Sequence, residues 1–279
     1  MHDTTTAYLP KRVMGQHYLI NRGIARRIAR FVLNGEPEEA ILEIGPGKGA
    51  LTRWLVTGAK TYIGVELERS SYENLSKIYG KQQGIHLIRG DILKQDFGKL
   101  TVEHGVERFV VAGNIPYRIT TPLLFHLVHE RQYVARAILT IQREVAERLT
   151  IGAGSRSYGL LSATFGLYGE ARILMNIPPE AFHPRPRVHS SVVEITFTDK
   201  HLKNLCNEEI YNGLVRSAFG QKRKMVKNSL RDFLQDKIAA PGDINRLFEK
   251  AGINPECRAE SIPVEGYVTI ANLLEDTTT

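Results

Sequence analysis

The 279 residues carry 37 Lys and Arg against 30 Asp and Glu, a formal charge of +7, and 42% of them are hydrophobic. This balance excludes a largely disordered chain and suits a polyanionic partner, while the absence of any apolar run near the ~20 residues of a bilayer span argues against a membrane protein. Cys206 and Cys257 lie far apart, and no Cys-x-x-Cys or His-Glu-x-x-His spacing occurs, so neither a disulfide framework nor a metal site is expected.

The segment Met1 to Pro10 is polar and lacks the charged start and apolar core of a leader, which points to the cytoplasm. From about residue 40, short β-branched runs alternate with helical patterns. Strands are predicted at 40–44, 61–65, 85–88, 109–112 and 137–141, with crossover helices at 49–56, 70–78 and 121–130. That alternation is the pattern of a parallel sheet with helices on both faces. Two further β-rich stretches, 172–177 and 191–197, flank a proline-rich segment and would add an antiparallel end to the sheet. Beyond Thr198 the pattern becomes helical at 203–219, 223–235, 244–251 and 264–274, with breaks at Pro241, Gly242 and Pro255. The reading is therefore an α/β domain over 1–198 and a small all-helical domain over 199–279, ending in a frayed tail from Glu275 to Thr279.

Ile41-Leu42-Glu43-Ile44-Gly45-Pro46-Gly47-Lys48-Gly49 takes a strand into a glycine turn, where glycine permits the tight bend and close approach of a ligand to the backbone. The third glycine comes one residue early for the dinucleotide pattern G-x-G-x-x-G. Lys48 is followed by Gly49 rather than by the Ser or Thr of a phosphate loop, so neither NAD nor ATP fits well. Glu66 ends the second strand, where an open α/β sheet places a carboxylate for ribose hydroxyls, and Asp91, before Ile92, ends the third, where an acid can receive an adenine amine. Each feature alone is also what an ordinary turn or solvated strand end looks like. Three successive strand ends with the right residues favour an adenosyl cofactor, and the short glycine turn favours S-adenosylmethionine.

The fourth strand runs into Gly113-Asn114-Ile115-Pro116-Tyr117. An adenine N6 amine is a poor nucleophile because its lone pair is delocalised into the ring, so an enzyme must hold both N–H groups with acceptors that favour a tetrahedral nitrogen. The Asn114 oxygen and the Ile115 carbonyl are suitable acceptors. Pro116 stiffens the turn and brings no N–H, and Tyr117 offers a flat ring to an extruded base.

These residues resemble the ribosomal RNA adenine N6,N6-dimethyltransferases, and the likeness covers nearly the whole chain. Its carriers are Gly15-Gln16-His17-Tyr18-Leu19, Leu42 to Thr52, Gly64-Val65-Glu66, Gly90-Asp91, Gly113 to Tyr117, Gln142 to Leu149, Phe182 to Val188 and Phe219 to Lys224. The resemblance implies a Rossmann-like S-adenosylmethionine-dependent methyltransferase sheet. By resemblance His17, Leu19, Gly45, Glu66, Asp91 and Asn114 would contact the cofactor, with Gly47 and Ile92 in the same two loops, and Phe182 would face Tyr117 across the target adenine. Arg258-Ala259-Glu260-Ser261 and the residues after it are most similar to the bacterial KsgA branch. That branch implies dimethylation of two adjacent adenines near the 3′ end of small-subunit (16S) rRNA, by a monomer acting on the rRNA or a pre-30S particle, with a part in ribosome biogenesis. Erm-type methylation of one adenine in 23S rRNA is the alternative, followed by a non-catalytic assembly factor and by a nucleotide-sugar or NAD enzyme.

Positive charge recurs in steps of four at Arg22, Arg26 and Arg30, and again at Arg223, Lys227 and Arg231, each series opposite apolar residues. With Arg185, Arg187, Lys222 and Lys224, some of these are expected to bind rRNA phosphates, although such stripes are also simply the wet faces of helices.

Overall fold

The structure, a computed structural model, describes residues 17–34, 38–235, 237 and 243–278. Gly15 and Gln16, the polar N-terminus, the breaks at Pro241 and Gly242, and Thr279 lie outside them.

The described residues begin with β1 (Tyr18–Leu19) and α1 (Arg22–Leu33). Asn21 caps α1 by accepting a hydrogen bond from the Ile24 N–H at 3.0 Å, and Asn34 ends it in the left-handed region. The alternating unit follows as β2 (Glu38–Ile44), α2 (Thr52–Leu55), β3 (Ala59–Glu66), α3 (Arg69–Tyr79), β4 (Ile85–Arg89), α4 (Phe97–His104), β5 (Phe109–Asn114), α5 (Thr120–His129) and β6 (Val134–Gln142). Next come α6 (Arg143–Thr150), α7 (Leu160–Tyr168), β7 (Gly169–Ile177), β8 (Phe182–His183) and β9 (Ser190–Phe197). The remaining helices are α8 (Glu208–Gly220), α9 (Val226–Ser229), α10 (Arg231–Gln235), α11 (Asp243–Lys250) and α12 (Val264–Thr278).

The large sheet has the order β4-β3-β2-β5-β6-β9-β7, and the first five of these strands pair in parallel. Ala40, Ile41, Leu42 and Ile44 of β2 and Phe109 to Ala112 of β5 are all buried, as expected of strands covered on both faces. Chain order runs outward from β2 to β4 on one side and then returns to β5 on the other. The crevice between the carboxyl ends of β2 and β5 is therefore the topological switch point, where α/β sheets bind ligands. Ile44 and Gly113 are register partners at its base, and a Cβ on Gly113 would meet the Ile44 carbonyl oxygen at 2.7 Å. Glycine there lets the glycine turn and the Asn114 loop leave side by side.

Contacts divide the chain into two compact units, one of residues up to 143 with 173–194, the other of 144–172 with 195–279. A contiguous boundary near 198 differs from this division because α7 joins the C-terminal helices. The Tyr211 hydroxyl donates to the Ala163 carbonyl at 2.9 Å, and that of Tyr168 donates to Glu208 at 3.0 Å.

Several elements depart from the sequence reading. The predicted helix 49–56 is the single turn α2, since Gly45, Gly47 and Gly49 all have positive φ. The predicted helix 223–235 is two short pieces, α9 and α10, entered through extended Met225, which pairs with Arg258; Arg223 stands outside both helices. The predicted helix 203–219 starts only at Glu208, where Asn207 caps it. Glu275 and Asp276 belong to α12 rather than to a frayed tail, and the Asn207 side chain donates to the Glu275 carboxylate at 3.2 Å.

Candidate active site

A cavity of ≈ 240 Å³ opens at the switch point within the first unit. Its lining contains eleven of the residues singled out from the sequence: His17, Leu19, Gly45, Gly47, Glu66, Asn114, Ile115, Pro116, Tyr117, Phe182 and Arg22. Asp91 and Ile92 are not among the lining residues. The Asp91 carboxylate caps the turn that follows it, accepting from the Leu93 N–H at 3.1 Å, and Ile92 is buried. Asp91 nevertheless leaves the sheet beside Glu66, because the Gly90 N–H donates to the Glu66 carbonyl at 3.0 Å.

Hydrogen bonds hold Asn114, Ile115 and Tyr117 at the end of β5 and in the loop after it. Asn114 donates its amide N–H to the His17 carbonyl at 2.8 Å. Its Oδ1 has no partner among the described residues, so the acceptor end of the amide is the one left for a ligand. The Ile115 N–H donates to the Thr140 carbonyl at 3.0 Å, which extends the pairing with β6 one residue into the loop. The Tyr117 hydroxyl and buried Ser190 share a hydrogen bond of 2.7 Å, and the Tyr117 ring lies 5.4 Å from that of His17. Partial burial pushes the Tyr117 phenol up, so at neutral pH the ring is uncharged. His17 is itself tied down by a 2.7 Å hydrogen bond from Nδ1 to the Pro184 carbonyl.

Phe182 reaches the cavity through a pairing of distant segments. Strands β1 and β8 form a two-stranded antiparallel ribbon in which Leu19 pairs with Phe182 and Tyr18 with His183. The Ile20 N–H donates to the Ala181 carbonyl at 2.8 Å and fixes the start of α1 to the same ribbon. Phe182 is 3% exposed and also belongs to the hydrophobic core, so its ring is anchored on one side and presented to the cavity on the other.

The polar wall opposite is Glu66. One carboxylate oxygen accepts from the Gly47 N–H and the other from the Glu68 N–H, both at 2.8 Å. Burial pushes its carboxyl up, and these two N–H groups oppose the shift. Both oxygens keep further lone pairs for hydroxyl donors. A Cβ on Gly47 would meet the Tyr18 ring at 3.1 Å, so glycine keeps this cradle open. A buried acceptor carboxylate, a glycine-rich turn and an apolar wall of Leu19, Ala25 and Leu51 fit the ribose and adenine of an adenosyl ligand.

Among the lining residues assigned no role from the sequence is the acid Glu43, bonded by Tyr62 and Thr52. A carboxylate within the apolar stretch Ala40 to Ile44 of β2 is the signal that marks it, because such a group is buried only with partners.

Among the basic residues, Arg22, Arg26 and Arg30 form an exposed stripe on α1, with the Arg26 guanidinium 5.7 Å from the centre of the Trp54 ring. Arg185 is paired with Glu180, while Arg187 is exposed. In the second unit Lys222 donates to the carbonyls of Arg156 at 2.6 Å and Tyr158 at 2.8 Å, and Lys227 pairs with Glu256 at 3.1 Å. Arg223 and Lys224 are exposed, with no ion pair among the described residues.

Fold and site together define an S-adenosylmethionine-dependent methyltransferase. The model of the ribosomal RNA adenine dimethylase family matches residues 9–276, and the chain belongs to that family. The ribosomal RNA small subunit methyltransferase A of Moorella thermoacetica is 33% identical over 273 residues, spanning 96% of this chain and 93% of its own length. That of Acidobacterium capsulatum is 34% identical over 266 residues, spanning 95% and 92%. Among solved structures, a dimethyladenosine transferase from Plasmodium falciparum matches with a TM-score of 0.79 at 23% identity, over 94% of this chain and 98% of that one. The 23S rRNA methyltransferase ErmE matches at 0.68 and 22%, over 92% and 99%; both likenesses speak to the fold. No helix among the described residues is long and apolar enough to cross a membrane.

Proposed function

We propose that this enzyme dimethylates the N6 amines of two adjacent adenines in a hairpin near the 3′ end of small-subunit rRNA, as a cytoplasmic monomer acting on the rRNA or a pre-30S particle during subunit biogenesis. The relatives named as small-subunit enzymes support that target over the 23S rRNA of ErmE, since they exceed it in sequence identity.

The observation that carries the chemistry is the fixed Asn114 amide. Because its nitrogen is committed to His17, Oδ1 accepts one N–H of the target amine, and the Ile115 carbonyl accepts the other. Two acceptors on opposite N–H bonds pull the nitrogen out of conjugation and turn its lone pair toward the donor. Pro116 has no N–H to offer as a competing donor. Tyr117 and Phe182 hold the extruded base as a sandwich, each stacking contact contributing about 1–3 kcal/mol. S-adenosylmethionine, when bound, supplies a methyl group already activated on a sulfonium, so positioning carries much of the rate. Gly45, Gly47, Glu66, Leu19, His17 and Asn114 hold it, with Asp91 and Ile92 at the neighbouring strand end receiving its adenine. Arg22, Arg185, Arg187, Arg223 and Lys224 meet rRNA phosphates, and the C-terminal helices take part in recognising the rRNA.

The test is incubation with labelled S-adenosylmethionine and unmethylated ribosomal subunits of each size, followed by mapping of N6-methylated adenines. Two adjacent dimethyladenosines in the small subunit are expected. Label confined to the large subunit would make the enzyme Erm-type, and label in neither would remove the rRNA assignment.

A further inference from the structure

Glu43 sits in the middle of the sheet, with Gly64 of β3 and Ala112 of β5 as its register partners, and is 2% exposed. Its Oε2 accepts from the Tyr62 hydroxyl at 2.6 Å and from the Thr52 hydroxyl at 2.8 Å. Tyr62 reaches it over Gly64, where a Cβ would come within 2.9 Å of the phenol oxygen. Oε1 has no hydrogen-bond partner among the described residues, and no basic side chain there pairs with Glu43, although the residue lines the cofactor cavity. Burial pushes its carboxyl up to about 7, against the two hydroxyl donors and with a smaller contribution from the like charge of Glu66. Of the cationic side chains lining the same cavity, Lys48 lies 4.8 Å from the centre of the Tyr18 ring, Arg53 donates to the Gly49 carbonyl at 3.3 Å, and Arg22 is exposed on α1.

A buried carboxylate with hydroxyl donors and no countercharge is a site short of a cation. The methyl donor of this reaction carries a sulfonium charge, and the demethylated product, a neutral thioether, does not. The two ligands are otherwise alike in their ammonium and carboxylate groups. We propose that Glu43 is the residue by which the cavity tells methyl donor from product: donor binding drives the Glu43 carboxyl to release its proton to solvent and become the countercharge, and product binding does not. The inference rests on S-adenosylmethionine binding in this cavity.

Linkage fixes the sign. A ligand that favours the ionised form of Glu43 binds more tightly as pH rises toward the free-state value near 7, and the gain levels off above it, where the carboxyl is ionised with or without ligand. Product affinity lacks this dependence. A shift of one pH unit in the Glu43 ionisation widens the donor-to-product affinity ratio about fivefold between pH 6 and 8, out of about tenfold over the whole pH range.

The test is calorimetric titration of the full chain with S-adenosylmethionine and, separately, S-adenosylhomocysteine at pH 6, 7 and 8, each in two buffers of different ionisation enthalpy. More protons released on donor binding than on product binding, with a ratio that grows with pH, is the expected result. Glu43→Gln should abolish both differences while still binding both ligands. Tyr62→Phe, which removes a donor that favours the carboxylate, should move the same pH dependence to higher pH, and it decides the matter if Glu43→Gln fails to fold. Equal proton release for the two ligands in the wild type would overturn the proposal, as would a difference surviving in Glu43→Gln. No heat from either ligand would instead overturn the cofactor site itself.

Discussion

The polar groups of the cavity and the basic groups of residues 222–227 are built in opposite ways. Around the cavity, nearly every functional side chain is tied to something: Asn114 to the His17 carbonyl, Tyr117 to Ser190, Glu66 to two N–H groups. Among residues 222–227 the two cations that are tied, Lys222 and Lys227, are taken up by carbonyls and by Glu256, whereas Arg223 and Lys224 are exposed. The difference follows from what each must do. Raising the reactivity of an amine needs acceptors fixed before the substrate arrives, since reorganising them would cost what they supply. Neutralising phosphate needs charge in the vicinity and tolerates side-chain motion.

The sharpest break of that comparison is Asn114→Ala, which removes one of the two fixed acceptors. By analogy with the loss of one oxyanion-hole donor, kcat for methyl transfer at saturating cofactor should fall roughly 10²–10³-fold, beyond any loss of cofactor affinity read by calorimetry, since Asn114 also helps to hold the cofactor. Retention of wild-type kcat would remove Asn114 from the chemistry.

Glu43→Gln tests the same wall through stability. The folded-state value near 7 lies above the unfolded value of 4.5, so the protonated form is the one folding favours. That contribution is complete below 4.5 and is lost as pH rises to 7, by roughly 3 kcal/mol. Urea unfolding of the ligand-free protein should therefore show wild type losing stability from pH 5 to 8, and the Gln variant losing less.

Tyr117→Ala removes one face of the base sandwich and should cost about 1–3 kcal/mol in kcat/KM, whereas Tyr117→Phe keeps the ring and should stay near wild type. Equal losses in the two variants would shift the role of Tyr117 from the ring to its hydroxyl.

On the other side of the comparison, Lys222→Met should destabilise the protein by about 1–3 kcal/mol, because two carbonyls lose a charged donor. The salt dependence of RNA binding should be unaffected. Arg223→Ala or Lys224→Ala should do the reverse, leaving the melting temperature in place and lowering the slope of log affinity against log salt by about 1 each. A salt effect from Lys222→Met equal to theirs would erase the distinction drawn between tied and exposed cations.

The strand-end residues Gly45, Glu66 and Asn114 were legible because a parallel sheet sends every loop of this kind to one edge, so spacing along the chain already implies meeting in space, whereas Asp91 leaves the same edge without lining the cavity. The central strands were legible from their unbroken apolar runs. The helices 49–56 and 223–235 were not, because apolar spacing says nothing of a glycine turn with three positive φ angles or of an extended entry paired to Arg258. The contiguous two-part division likewise could not anticipate α7 joining the C-terminal helices, a grouping made by side chains some 40 positions apart such as Tyr168 and Glu208.

By itself, the sequence determined the sheet, its glycine turn and the order of acids and amide along its edge, because these depend on period, apolarity and the special freedom of glycine. Only the tertiary structure decided which end of the Asn114 amide faces the cavity, that Phe182 arrives on a ribbon with Leu19, and that Lys222 is occupied while Lys224 is exposed. It also decided that Glu43 lines the cavity with an oxygen to spare. Each of these is a contact between residues distant in sequence, and local pattern carries no term for such partners.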